Sequence, residues 1–138
     1  MTNKISNAMK DKLPTQIKIA AFVILLLGIA MLVYWGMYVF QGMPVAGIPV
    51  LSEMINAALG LTSGVGLLRR QKWSVPASIF TAGMWAYGVL GGINLVLEKG
   101  LDFSSPFGAA ADAILFPLIL VFAVYLAIVV WRNRDIYD

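Results

Sequence analysis

The chain has no cysteine and no histidine. Without thiols it forms no disulfide framework, no thiol redox couple and no Cys-ligated metal centre. Without imidazole it lacks the commonest general base and metal ligand. Charge is scarce as well: of 138 residues, 12% are charged and 60% hydrophobic. Soluble domains run at about 25% charged and about 45–50% apolar. A chain of this composition cannot cover itself with polar surface in water, so lipid is its expected solvent. The seven methionines are scattered and read as core rather than as a copper site.

What the chain does have is long apolar runs: Ile19 to Phe40, Pro49 to Leu68, Val75 to Leu97 and Phe107 to Trp131. A spanning helix needs about 20 apolar residues to cross a hydrocarbon core about 30 Å thick. In lipid each backbone amide needs an internal partner, which favours helices. The expected fold is an all-α bundle of four transmembrane helices over residues 17–138, preceded by a segment 1–16. The first run is too long for the core of a cleavable signal, and no convincing small-residue cleavage site follows it, so it is expected to persist.

Charge placement predicts the threading. Lys4, Lys10, Lys12 and Lys18 precede the first span, Arg69, Arg70 and Lys72 join the second to the third, and Arg132 and Arg134 follow the fourth. Nine of the ten basic residues therefore share a side, with Lys99 the exception. Basic loops stay in the cytoplasm, which places both termini there in a prokaryotic cytoplasmic membrane. Trp73 and Trp131 mark the inner boundary, and Tyr34, Trp35 and Tyr38 the outer one.

Several shorter signals refine this picture. Ile5, Met9 and Leu13 are spaced by four among lysines, which suits a short amphipathic helix on the inner surface, ended by Pro14. A solvated tail is the other reading. The uncharged, breaker-rich loop Gln41 to Pro49 is expected to fold back on the helix ends or to meet another protein. Pro76 belongs in the first turn of the third span, where its missing N–H costs nothing. Pro117 should kink the fourth. Pro49, Glu53 and Arg69 correspond loosely to Pro106, Asp112 and Arg132, through an ancient repeat or through common hairpin rules. Gly60 with Gly64, and Gly88 with Gly92, form Gly-x-x-x-Gly pairs, expected to pack spans two and three or to join subunits.

One constellation suggests chemistry. Glu53, Asn56, Asn94 and Asp112 fall at similar expected depth near the outer surface, on helical faces spaced by three and four, and Tyr87 joins this candidate layer by sharing the face of Asn94. Ionisable groups within a bilayer are costly and usually functional. A pair of carboxylates there would hold a proton or a cation. Glu53 and Asp112 also lie near helix starts, where a carboxylate serves as a cap. Asn56 and Asn94 are candidates to bond each other. Trp85, Tyr87 and Tyr125 fill the bundle or line a lipid or quinone pocket.

The Pro-x-x-x-Glu start of the second span, Pro49 to Glu53, and the glycine-rich, basic-ended helix resemble DoxX-like proteins, small four-span prokaryotic membrane proteins. The small multidrug resistance transporters share the size, but their membrane-buried glutamate lies in the first span, and here Ile19 to Phe40 holds no acid. The expected function is that of a non-enzymatic accessory or scaffold subunit, lipid-binding, without cofactor or metal. Its expected partners are the bilayer and either further copies of itself or a larger membrane complex; nucleic acid is not among them. The alternative is a homodimeric small carrier coupled to protons or cations through Glu53 and Asp112.

Overall fold

In the computed structural model, residues 12–42, 48–101, 103 and 109–137 are described. They form helices α1 (Thr15–Phe40), α2 (Ile48–Leu68), α3 (Ser74–Lys99) and α4 (Phe116–Arg132). A π-helical turn, Ala111–Leu115, leads into α4, and a 3-10 turn, Arg134–Tyr137, follows it. No strand occurs among the described residues. α1, α2, α3 and the segment Ala113–Arg132, which joins the end of the π turn to α4, are each long and apolar enough to cross a membrane. Residues 1–11, which hold Ile5, Met9 and most of the expected amphipathic segment, lie outside the described residues, as do 43–47 of the first loop.

The helix bounds differ from the apolar runs for local reasons. Pro14 caps α1 with extended backbone, so the helix starts at Thr15, four residues before the hydrophobic run. Thr15, Gln16 and Lys18 are polar and exposed, yet Ile17 is fully buried. α3 starts at Ser74 with Pro76 in its first turn, as expected. Its first amides are satisfied by turn carbonyls, Ser74 N–H to Gln71 O and Val75 N–H to Lys72 O. In α4, Pro117 falls in the first turn of the helix. A proline lacks the N–H for the carbonyl four residues back, and its ring clashes with that carbonyl. The helical run from 109 to 132 is continuous, with the widened π turn just ahead of the proline.

Neighbours in sequence are neighbours in space: α1 packs most extensively on α2, then α3 on α4 and α2 on α3, and α1 touches α4 more lightly. Packing is unequal along the bundle. At the terminal end, where the chain starts and finishes, Ile17, Ala20, Ala21 and Ile24 of α1 meet Leu67 of α2, Ala82 and Trp85 of α3, and Leu126 and Val130 of α4. At the opposite, loop end, α1 beyond Gly28 and α3 beyond Val89 have no buried residues among those described, although Val50 of α2 is buried there. The shared core is thicker at the terminal end.

Two devices close the terminal end. The first ends α2: Gln71 N–H reaches Gly66 O and Arg70 N–H reaches Leu67 O, with Arg70 at φ 55°. This is the hydrogen-bond pattern of a Schellman cap, whose left-handed position glycine usually fills. An arginine there costs about 1 kcal/mol of backbone strain. The second is the C-terminal turn. Tyr137 is buried and its hydroxyl donates to Leu67 O at 3.1 Å, so this end carbonyl of α2 accepts from both Arg70 N–H and the phenol.

Tyr137→Phe is expected to lower stability by about 1 kcal/mol, read as an unfolding midpoint in detergent. Burial pushes the Tyr137 phenol up to about 12, with the Arg70 charge pulling slightly the other way. An unfolded tyrosine titrates near about 10. The folded pKa is the higher one, so the contribution is full below pH ~10 and fades as pH rises from there through about 12. The phenylalanine variant should lack that alkaline step.

Candidate functional site

A polar column runs between α2 and α3, the two less apolar helices of the four. On α3, Ser74, Ser78, Thr81 and Trp85 recur at intervals of four, three and four, and so share one face. All of them are buried. On α2 the facing stripe is Asn56, Gly60, Ser63 and Gly66. Thr81 Oγ1 donates to Ala77 O at 2.8 Å. Its one proton is thereby used, so at 3.1 Å it accepts from Ser63 Oγ. Ser74 Oγ donates to Gln71 O at 2.6 Å. Hydroxyl bonds of this kind join helices where the hydrophobic effect between them is weak.

Trp85 ends the column toward the loop end. Its indole N–H donates to the backbone carbonyl of Asn56 at 3.1 Å. That carbonyl is reachable because the residue above it, one helical turn on, is Gly60. A Cβ at Gly60 would stand 2.7 Å from the Trp85 ring. The ring therefore occupies the space a side chain would fill. Among the described residues, two buried side-chain atoms have no hydrogen-bond partner, Asn56 Oδ1 and Ser78 Oγ.

The glycines divide into packed and open. A Cβ at Gly64 would meet Leu25 of α1 at 2.6 Å, and one at Gly92 would meet the Phe116 ring at 2.7 Å. Gly28 faces Ala57 O and Leu61 across the α1–α2 contact. Gly88 meets nothing within 4 Å, and neither do Gly83 and Gly91. The two Gly-x-x-x-Gly pairs thus do not serve one α2–α3 contact. Gly60 receives α3, Gly64 receives α1 and Gly92 receives α4, because each glycine takes the bulky neighbour that its own side of the helix happens to face.

The five residues of the expected polar layer separate. Glu53 is half-buried, one turn before Asn56 and on its face. Asn56 is 5% exposed. Tyr87 is 79% exposed and turned away from α2. Asn94 is exposed and donates from Nδ2 to Glu98 Oε1 at 3.1 Å, on its own helix, instead of bonding Asn56. The reason is register: Asn56 is level with Trp85, nine residues before Asn94, or about 13 Å of helix rise. Tyr87, Gly91, Asn94 and Glu98 do share a face, and it is the exposed one. Asp112 lies in the π turn, and its side chain is outside the described residues. Trp85 fills the bundle. Tyr125 is partly buried against the core, its ring 6.4 Å from that of Phe122.

At the loop end a half-open cleft of about 480 Å³ lies between α3 and Phe116, bordered by Gly92, Val96, Lys99, Leu101 and Phe103. Among the described residues no group of three His, Cys, Asp or Glu side chains converges as metal ligands would. Sequence reasoning missed the hydroxyl column and the Tyr137 contact. The first was legible in the 4-3-4 spacing of Ser74, Ser78, Thr81 and Trp85. The second had no sequence signal. In comparison with known proteins, no family model, curated protein or solved structure matches the chain.

Proposed function

We propose that this chain is a non-enzymatic multi-pass membrane protein, an accessory or scaffold subunit that assembles through the exposed face of α3. The observation that carries this reading is the division among the glycines. Those facing inward are filled by Trp85, Leu25, Trp73 and Phe116, whereas Gly83, Gly88 and Gly91 face open space on the outside of α3. Close helix–helix approach in lipid uses such small-residue surfaces. The same face carries the Asn94–Glu98 pair, exposed to whatever surrounds the helix. A polar pair on a spanning helix is better accommodated by protein than by hydrocarbon. With Lys12, Lys18, Arg69, Lys72 and Arg132 at the terminal end, both termini face the cytoplasm of a prokaryotic cell.

The test is purification from native membranes in mild detergent with mass measurement, for the parent and for Gly88→Leu/Gly91→Leu. The expected result is an oligomer or a co-purifying subunit, lost in the double variant without loss of folded protein. A parent that is monomeric and unaccompanied removes the basis of the reading.

A second reading is favoured by one observation, the unpartnered Oδ1 of buried Asn56 one turn from half-buried Glu53. Two oxygen acceptors in a bundle interior attract a proton donor or a small cation. This is the homodimeric carrier coupled through Glu53 and Asp112. Flux into proteoliposomes that is absent from the parent, or unchanged in Glu53→Gln and Asp112→Asn, rejects it.

A further inference from the structure

The terminal end gathers positive charge from two parts of the chain. The α2–α3 link supplies Arg69, Arg70 and Lys72, and the end of α4 supplies Arg132 and Arg134. The C-terminal turn docks on the end of α2: Tyr137 bonds Leu67 O, and the charge of Arg70 acts on its phenol. Arg134 is already engaged. It donates to Trp131 O at 2.9 Å, lies 4.3 Å from the centre of the Trp131 ring and stands 3.9 Å from Asp135. Arg69, Lys72 and Arg132 are exposed. The chain also holds Arg70 in a left-handed conformation where glycine would cost less.

Beside these cations stand two half-exposed indoles, Trp73 and Trp131, each adjacent in sequence to a basic residue. An indole at that level sits between hydrocarbon and headgroups. Cations a few ångströms further out meet phosphate. Asp135 is the one acid at this end among the described residues, so the surface is complementary to an anion. Clusters of Lys and Arg just outside a span attract anionic lipid, with a gain that each added charge raises.

We infer that the terminal end binds the phosphate headgroup of an anionic phospholipid, with Arg69, Lys72 and Arg132 as cationic contacts and Trp73 and Trp131 against the glycerol and upper acyl region. The inference rests on the reading that the four helices cross a bilayer, and on no assembly through α3.

The test is native mass spectrometry of the full chain in mild detergent, with phosphatidylglycerol and phosphatidylcholine added in equal amounts. Phosphatidylglycerol should be retained about tenfold better. Arg69→Gln/Lys72→Gln should reduce that preference about tenfold, whereas the charge-preserving Arg69→Lys/Lys72→Arg and the loop-end variant Lys99→Gln should keep it. Equal retention of the two lipids by the parent, or a preference that survives the glutamine variant, overturns the inference. Reconstitution of the parent into pure phosphatidylcholine vesicles separates the two failures. If the chain inserts there and shows no anionic preference, the lipid site fails while the spanning bundle stands.

Discussion

Trp85→Ala is expected to lower the stability of the folded protein by about 3 kcal/mol, the usual scale for deleting a buried aromatic. The ring is 3% exposed and packed in the core. Truncation removes its contacts with α2 over Gly60 and its bond to the Asn56 carbonyl together. Detergent-titrated unfolding followed by circular dichroism reads the loss. Trp85→Phe separates the two parts. It keeps most of the ring and loses the N–H, so about 1 kcal/mol should go. If alanine and phenylalanine cost the same, the hydrogen bond and not the packing holds α3 to α2.

The second large effect contrasts one substitution at two glycines. Gly60→Leu places a branched side chain where a Cβ alone would already stand 2.7 Å from the Trp85 ring. The ring is tethered by its N–H and walled in by the core, so it has nowhere to go. Overpacking of this kind costs about 3 kcal/mol or more. Gly88→Leu meets open space and should leave unfolding of the subunit unchanged, or improve it by about 0.5–1 kcal/mol through helix propensity. Yields of folded protein and unfolding midpoints compare the pair directly. Equal damage at both positions would mean that α3 is rotated about its axis relative to the packing described.

The two glycines show what a sequence conveys about such a bundle. Length and hydropathy make the number of helices plain, because a bilayer crossing is a demand on consecutive residues. Which way each helix turns its faces is another matter. Gly60 and Gly88 each open an identical motif, yet one is filled by an indole and the other by nothing. The spacing of small residues says that a close approach is possible, and only the neighbours decide where it occurs. The polar layer has the same lesson. Glu53 and Asn56 were legible as one stripe because they lie on one helix. Adding Tyr87 and Asn94 required the relative rotation and register of α3, which no spacing within α3 contains. The Tyr137 contact depends on a turn after Arg132 that carries no hydrophobic signal, since a single aromatic near a chain end has no period.

The π turn before α4 has a consequence for the arc on which its first residues lie. A regular helix advances about 100° per residue, and a π turn takes in one residue more before closing its bond. A helical wheel drawn backward from Ala123 and Leu126 through Ala111–Leu115 therefore arrives out of phase by roughly that angle. Residues ahead of Phe116 belong to a different azimuth from the one such a wheel would assign. Substitution patterns at Ala113, Ile114 and Leu115 will align with those of α4 only after a one-position offset.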